Sequence, residues 1–193
     1  MAAFSLIELI VVVAIAALLM VLAVPAFQRM ALGSSITRSG QMVEDQLALA
    51  RQMAVSRNGQ VQVRLVWLSH DAASCRAIQL WGDGAALNEM VPLTRLTLLP
   101  DGISVAASPT LSPMLNDSAL TTLKASAAFP GYGTLKYCGF RFRAGGRTDL
   151  PFDATNAFLT IAPARHSADT VLPANYCIVQ IDPVTGRAKT YRP

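Results

Sequence analysis

From Leu9 to Phe27 the chain carries no charged residue, and Gln, Asn and His are absent as well. A helix over this run, rising about 1.5 Å per residue, matches a hydrocarbon core of ~30 Å. It is apolar all round, as a lipid-exposed helix is. Glu8 stands at the head of the run, preceded by Phe4-Ser5-Leu6-Ile7. An ionisable group in a membrane segment is costly, so it usually has a partner or a task. On hydropathy alone, Glu8 reads equally well as a residue at the water interface of a plain signal anchor. A secretory signal peptide fits less well, because the run exceeds a typical apolar h-region and no Ala-x-Ala site closes it before Pro25.

The stretch Ala3-Phe4-Ser5-Leu6-Ile7-Glu8-Leu9-Ile10-Val11-Val12-Val13 resembles the N-terminal signature of type IV pilins and pseudopilins. The resemblance implies that a prepilin peptidase cuts between Ala3 and Phe4 and methylates the new N-terminus. Phe4 then becomes the first residue of the mature chain and Glu8 the fifth. It implies, too, that Glu8 sets register in a filament by pairing with the positive N-terminus of a neighbouring subunit, which removes the cost of burying either charge alone. Pro25 stands where such helices carry a kinking proline. Two features depart from the pattern. Ala3 occupies the place where the family usually has Gly, which slows processing without forbidding it. The leader Met1-Ala2-Ala3 has no Lys or Arg, whereas positive-inside asymmetry calls for a basic one, and the nearest cations, Arg29 and Arg38, lie beyond the run. The expectation is a leader that starts upstream or has been trimmed.

The helix is not expected to stop at the membrane. Ile36, Val43, Leu47, Ala50 and Ala54 recur at helical spacing, while Glu44, Asp45, Arg51 and Arg57 fall largely off that stripe. Asn58-Gly59 makes a C-terminal stop, and Pro25 and Gly33 are the expected bend points. Past Gly59 the period becomes two: Val61, Val63, Leu65 and Trp67 alternate with Gln62, Arg64 and Val66, a strand with one buried face. Further strands are expected at 76–81, 92–99, 103–106, 137–143, 157–162, 176–182 and 187–192. Turns fall at Gly82-Asp83-Gly84, Gly145-Gly146 and Pro183-Val184-Thr185-Gly186. Residues 108–134, rich in Ser, Thr, Pro, Ala and Gly, read as a loop insertion with a short helix near Leu111–Leu115. Strands do not alternate with helices, so the sheet is expected to be antiparallel.

The fold class is therefore α+β and pilin-like: a long, kinked N-terminal helix packed on an antiparallel β-rich domain. Its parts are a leader at 1–3, a transmembrane and assembly helix at 4–28, an amphipathic continuation at 29–58 and the β-rich domain at 59–193 with the insertion at 108–134. The junction Leu49 to Val63 resembles that of GspH/FimT-like minor pseudopilins. The segments Phe140-Arg141-Phe142-Arg143, Thr148-Asp149-Leu150, Pro173 to Tyr176 and Gln180 to Pro193 are more closely similar to the Verru_Chthon cassette protein D family of pilin-like proteins. The resemblance implies a non-catalytic subunit of a type II secretion or type IV pilus-like filament. Its partners would be a prepilin peptidase, other pilin-like subunits and the bacterial inner membrane, crossed once with the domain in the periplasm. The loops 108–134 and 164–174 would face a partner or cargo. A membrane-anchored periplasmic domain that never assembles is the plainer alternative.

No catalytic constellation stands out. His70-Asp71 and His166 with Ser167 and Asp169 lack a positioned nucleophile, and Gly82-Asp83-Gly84 lacks the ligand ladder of a Ca²⁺ loop. Cys75, Cys138 and Cys177 have no zinc-site spacing, so no metal or cofactor is expected. In an oxidising periplasm one disulfide could form, and Cys138–Cys177 is the expected pair because both lie in C-terminal strands. Net charge is +4 with 15% charged residues, a weak signal for a polyanionic partner. Arg187, Lys189 and Arg192 do cluster at the C-terminus, and Arg141, Arg143 and Arg147 cluster near an earlier turn. If their strands were neighbours, a basic stripe could grip DNA phosphates. FimT-like minor pilins include DNA-binding members, so a DNA-uptake pilin is the alternative function.

Overall fold

The computed structural model describes residues 6–68, 75–84, 89–116, 120 and 123–193, without the side chains of residues 22–26, 28, 29 and 124. The uncharged run and the amphipathic segment after it form one element, α1 (Leu6–Ser56). Pro25 and Gly33 both lie inside it. Its C-terminus is closed as Asn58-Gly59 suggests: Asn58 adopts a left-handed φ of 47°, and the Gly59 amide donates to the Ala54 carbonyl at 3.2 Å. Asn tolerates that conformation better than most residues do. The expected cleavage site, Ala3 and Phe4, lies outside the described residues, as does His70-Asp71.

The chain divides into two compact units, Met1–Ser34 and Ser35–Pro193. In the first, the large apolar side chains from Leu6 to Val21 are 51–77% exposed. Among the described residues no helix is long and apolar enough to cross a membrane. The uncharged run of the sequence continues through residues 22–26, whose side chains are outside that description.

The second unit carries a ten-stranded antiparallel sheet. Its strands are β1 (Val61–Trp67), β2 (Cys75–Asp83), β3 (Met90–Pro92), β4 (Thr97–Leu98), β5 (Ile103–Val105), β6 (Leu123–Phe129), β7 (Gly133–Phe142), β8 (Phe158–Pro163), β9 (Cys177–Ile181) and β10 (Ala188–Tyr191). The order is β10-β9-β8-β5-β2-β1-β7-β6, with β3 and β4 added to β2. The short helix α2 (Pro113–Asn116) falls where a helix near Leu111–Leu115 was expected. The rest of 108–134 departs from the loop reading, because β6 and the start of β7 pair there from Leu123↔Gly139 to Phe129↔Gly133. Ala and Ser carry little strand signal, and pairing with β7 supplies what propensity does not.

All five residues of the helical stripe, Ile36, Val43, Leu47, Ala50 and Ala54, are 0–1% exposed. Close approach of the helix to the sheet depends on Gly40. A Cβ placed there would lie 2.5 Å from Cys177 Sγ and 3.0 Å from Thr190 Cγ2.

The other face of β1 departs from the alternating pattern. Gln62 and Arg64 are each only 5% exposed and Val66 is fully buried. A second small core of Val66, Ala77, Trp81 and Phe129 forms on that face, with Leu96, Leu135 and Tyr137 packed against it. Arg64 survives burial there because its guanidinium lies 3.9 Å from the Trp81 ring centroid and 4.3 Å from that of Tyr137. Its Nε and Nη2 also donate to Gln62 Oε1 at 3.0 and 2.7 Å. Stacking and hydrogen bonding offset desolvation of the charge. Phe129 of β6, which lies inside the apparent loop, covers this face together with Leu135 and Tyr137 of β7 and with Met90 and Leu96.

The expected Cys138–Cys177 disulfide is not present. None of the three cysteines is in a disulfide, and all are buried. Cys138 is on β7 and Cys177 on β9, with β8, β5, β2 and β1 between them in the strand order. Cys75 and Cys138 sit on strands that flank β1, two strand spacings apart and too far for an S–S bond. Burial pushes the Cys177 thiol up to about 11 and the Cys75 thiol well above its usual range. A thiol kept protonated is a poor nucleophile. Iodoacetamide at pH 8 is therefore expected to leave the folded protein unmodified and to add three groups after denaturation without reductant. An intact mass two hydrogens lower, with one modifiable thiol, would restore the disulfide.

Candidate functional site

Two regions carry features that packing alone does not require. The first is the N-terminal part of α1. Leu6, Ile7, Leu9, Ile10 and Val11 are all more than half exposed, and Glu8 stands among them in the first helical turn. A carboxylate at a helix N-terminus is favoured by the helix dipole by about 0.3–1 kcal/mol, which is one reason for an acid there. The exposed apolar surface is a separate fact. It needs lipid or protein around it.

The second region lies at the turns after β7 and β9. Gly145-Gly146 closes a tight connection in which Arg143 N donates to Arg147 O at 2.8 Å and Gly146 N donates to Arg143 O at 2.7 Å. In the later turn the Asp182 carboxylate accepts the Val184 and Thr185 amides at 2.9 and 3.2 Å and the Thr185 hydroxyl at 2.8 Å. Those hydrogen bonds, with Arg187 nearby, hold its acidity stronger than usual. Gly186, at φ 66°, lets this turn close against the Gly146 carbonyl, where a side chain has no room. Thr148 Oγ1 donates to Pro183 O at 3.0 Å and Arg51 Nε to Thr185 O at 2.9 Å, so both turns are tied to each other and to α1.

The basic stripe expected from sequence is therefore assembled differently. β7 and β10 are not neighbours, since five strands separate them in the sheet, but the turns that follow β7 and precede β10 touch. Arg143, Arg147, Arg187 and Lys189 line two adjoining grooves there. Arg141 is withdrawn: its amide and Nη1 engage Asp149 at 2.7 and 3.8 Å. Arg192 is withdrawn too, because it bonds Thr37 Oγ1 and, at 3.0 Å, Asn175 Oδ1. Strand alternation is the reason, since Arg187 and Lys189 share a face and Arg192 falls on the other. Sequence reasoning missed Phe152, 83% exposed between the two grooves.

His166 does not form a nucleophile–base pair. Its Nδ1 faces Asp169 Oδ2 at 2.7 Å and its Nε2 accepts from Arg165 Nε at 3.1 Å, which occupies both ring nitrogens. Among the described residues no group of three or more His, Cys, Asp or Glu side chains could hold a metal ion.

No protein-family model matches the chain, and no curated protein does. Among solved structures, the chain is similar to the minor pseudopilin EpsH from the type 2 secretion system of Vibrio cholerae, at 15% identity and a TM-score of 0.50, over 82% of this chain and 98% of that one. The fold is that of a pseudopilin. At this identity the likeness extends to the fold alone, and the similarity to the Verru_Chthon cassette family rests on the sequence segments.

Proposed function

We propose that the chain is a non-catalytic, pilin-like subunit of the minor-pseudopilin type, built into a type II secretion or type IV pilus-like filament through its N-terminal helix. One observation carries this reading: an exposed, uncharged helical run with Glu8 in its first turn precedes, in the same chain, a domain of pseudopilin fold. In this reading a prepilin peptidase cuts between Ala3 and Phe4. The helix crosses the bacterial inner membrane once, with the domain in the periplasm, and then leaves lipid for the helices of other pilin-like subunits. Apolar side chains stay buried throughout the exchange, and Glu8 supplies the register that non-directional apolar packing lacks.

The deciding experiment is the N-terminal mass of membrane-extracted protein co-expressed with a prepilin peptidase. An N-methylated Phe4 terminus is the expected result. An intact Met1, with the peptidase active on a control substrate, would leave a simple anchored periplasmic domain.

Nucleic-acid capture is a second reading, favoured by Arg187 and Lys189 lying beside the exposed rings of Tyr191 and Phe152. Exposed rings and cations together make a platform for single strands. In that case DNA retardation by the protein should be lost on changing Arg187 and Lys189 to Ala. No retardation by the unaltered protein rules the reading out.

A further inference from the structure

We propose that the paired grooves beside β10 form a docking site for an extended, acidic peptide segment of another protein, gripped by the arginines of both grooves and packed against Phe152. The larger groove, about 710 Å³, is lined by Arg187, Lys189 and Tyr191, and the smaller, about 230 Å³, by Arg143 and Arg147. Phe152 and Pro183 line both, so the two run on from each other. A ring left 83% exposed at their junction costs solvation free energy in the isolated subunit and gains it back when covered.

Charge identifies the occupant. Arg143, Arg147 and Arg187 make no ion pair with any described residue. Of the three carboxylates in the grooves, Asp149 pairs with Arg141, which leaves Asp153 and Asp182 against Arg143, Arg147, Arg187 and Lys189. The unspent charge is positive and lies in both grooves, which suits the carboxylates of an acidic segment.

The test uses the full chain in detergent micelles and fluorescence anisotropy of a short labelled peptide in which Glu alternates with Phe and Thr. Saturable binding is expected, at least about tenfold stronger than for the same peptide with Gln for Glu, and weakening with salt. Phe152→Ala, and Arg143→Gln with Arg187→Gln, should each weaken it by about tenfold. These side chains are exposed, so thermal melting should not change. Equal binding of the Gln peptide, or no saturable binding, overturns the proposal. Tighter binding of an oligothymidylate, lost in the same variants, overturns it in favour of nucleic acid. None of these outcomes bears on processing at Ala3 and Phe4, so the filament reading stands or falls separately.

Discussion

Glu8→Ala is expected to leave the protein in the membrane and to cut its incorporation into filaments by two orders of magnitude or more. The size of the effect follows from the proposed pairing. Removing one member of a buried charge pair leaves the other uncompensated, at a cost of about 3–5 kcal/mol. Each ~1.4 kcal/mol is a factor of ten in association. If Glu8 served only the dipole of its own helix, the loss would be about 0.3–1 kcal/mol and incorporation would fall less than tenfold. The ratio of filament-bound to membrane-bound protein, measured by cross-linking in cells that express the other subunits, separates the two. Glu8→Gln should fall between, because it keeps a hydrogen bond and loses the charge. Normal incorporation of Glu8→Ala would falsify the pairing.

Gly40→Val is expected to destabilise the folded domain by about 2–3 kcal/mol, the upper part of the range for overpacked cores. Helix propensity alone argues the reverse, since almost any residue replaces a mid-helix Gly with a gain of some tenths of a kcal/mol. Geometry decides the sign. The added Cβ meets Cys177 Sγ at 2.5 Å, and Cys177 is fully buried. For a domain of this size the loss corresponds to a melting point lower by roughly 4–12 °C. Cys177→Ala should itself cost stability by leaving a cavity. Combined with Gly40→Val it should recover much of the loss, giving a coupling energy of opposite sign to the single effects. Strictly additive losses would mean that the helix does not approach the sheet at this point.

Both variants sit on features that were unequally legible. Glu8 stands out in the bare sequence, because a carboxylate at the head of a long uncharged run is conspicuous whatever the fold. Gly40 gave no signal, since its role exists only once α1 meets β9 and β10. The stripe from Ile36 to Ala54 was legible because helical periodicity is local, and all five of its residues are buried. The C-terminal hairpin was legible through Pro183-Val184-Thr185-Gly186, where Pro183 and Gly186 each favour a turn.

Where the reading missed, the deciding contacts were distant in sequence. β6 has Ala or Ser at four of its seven positions and takes its strand conformation from pairing with β7. The polar face of β1 is buried because β6, β7 and the 90–98 segment cover it, which no alternation within residues 61–67 can reveal. Cysteine pairing depended on strand order, and the basic cluster on which turns touch: Arg141 and Arg192 were drawn away by Asp149, Thr37 and Asn175, while Arg143 and Arg187 came together. By itself, the sequence determined the long helix, its buried stripe, most strands and the place of Glu8, because each rests on the chemistry of neighbours a few residues apart. Only the tertiary structure decided what lies beside what, because burial and charge pairing depend on residues that meet across the sheet.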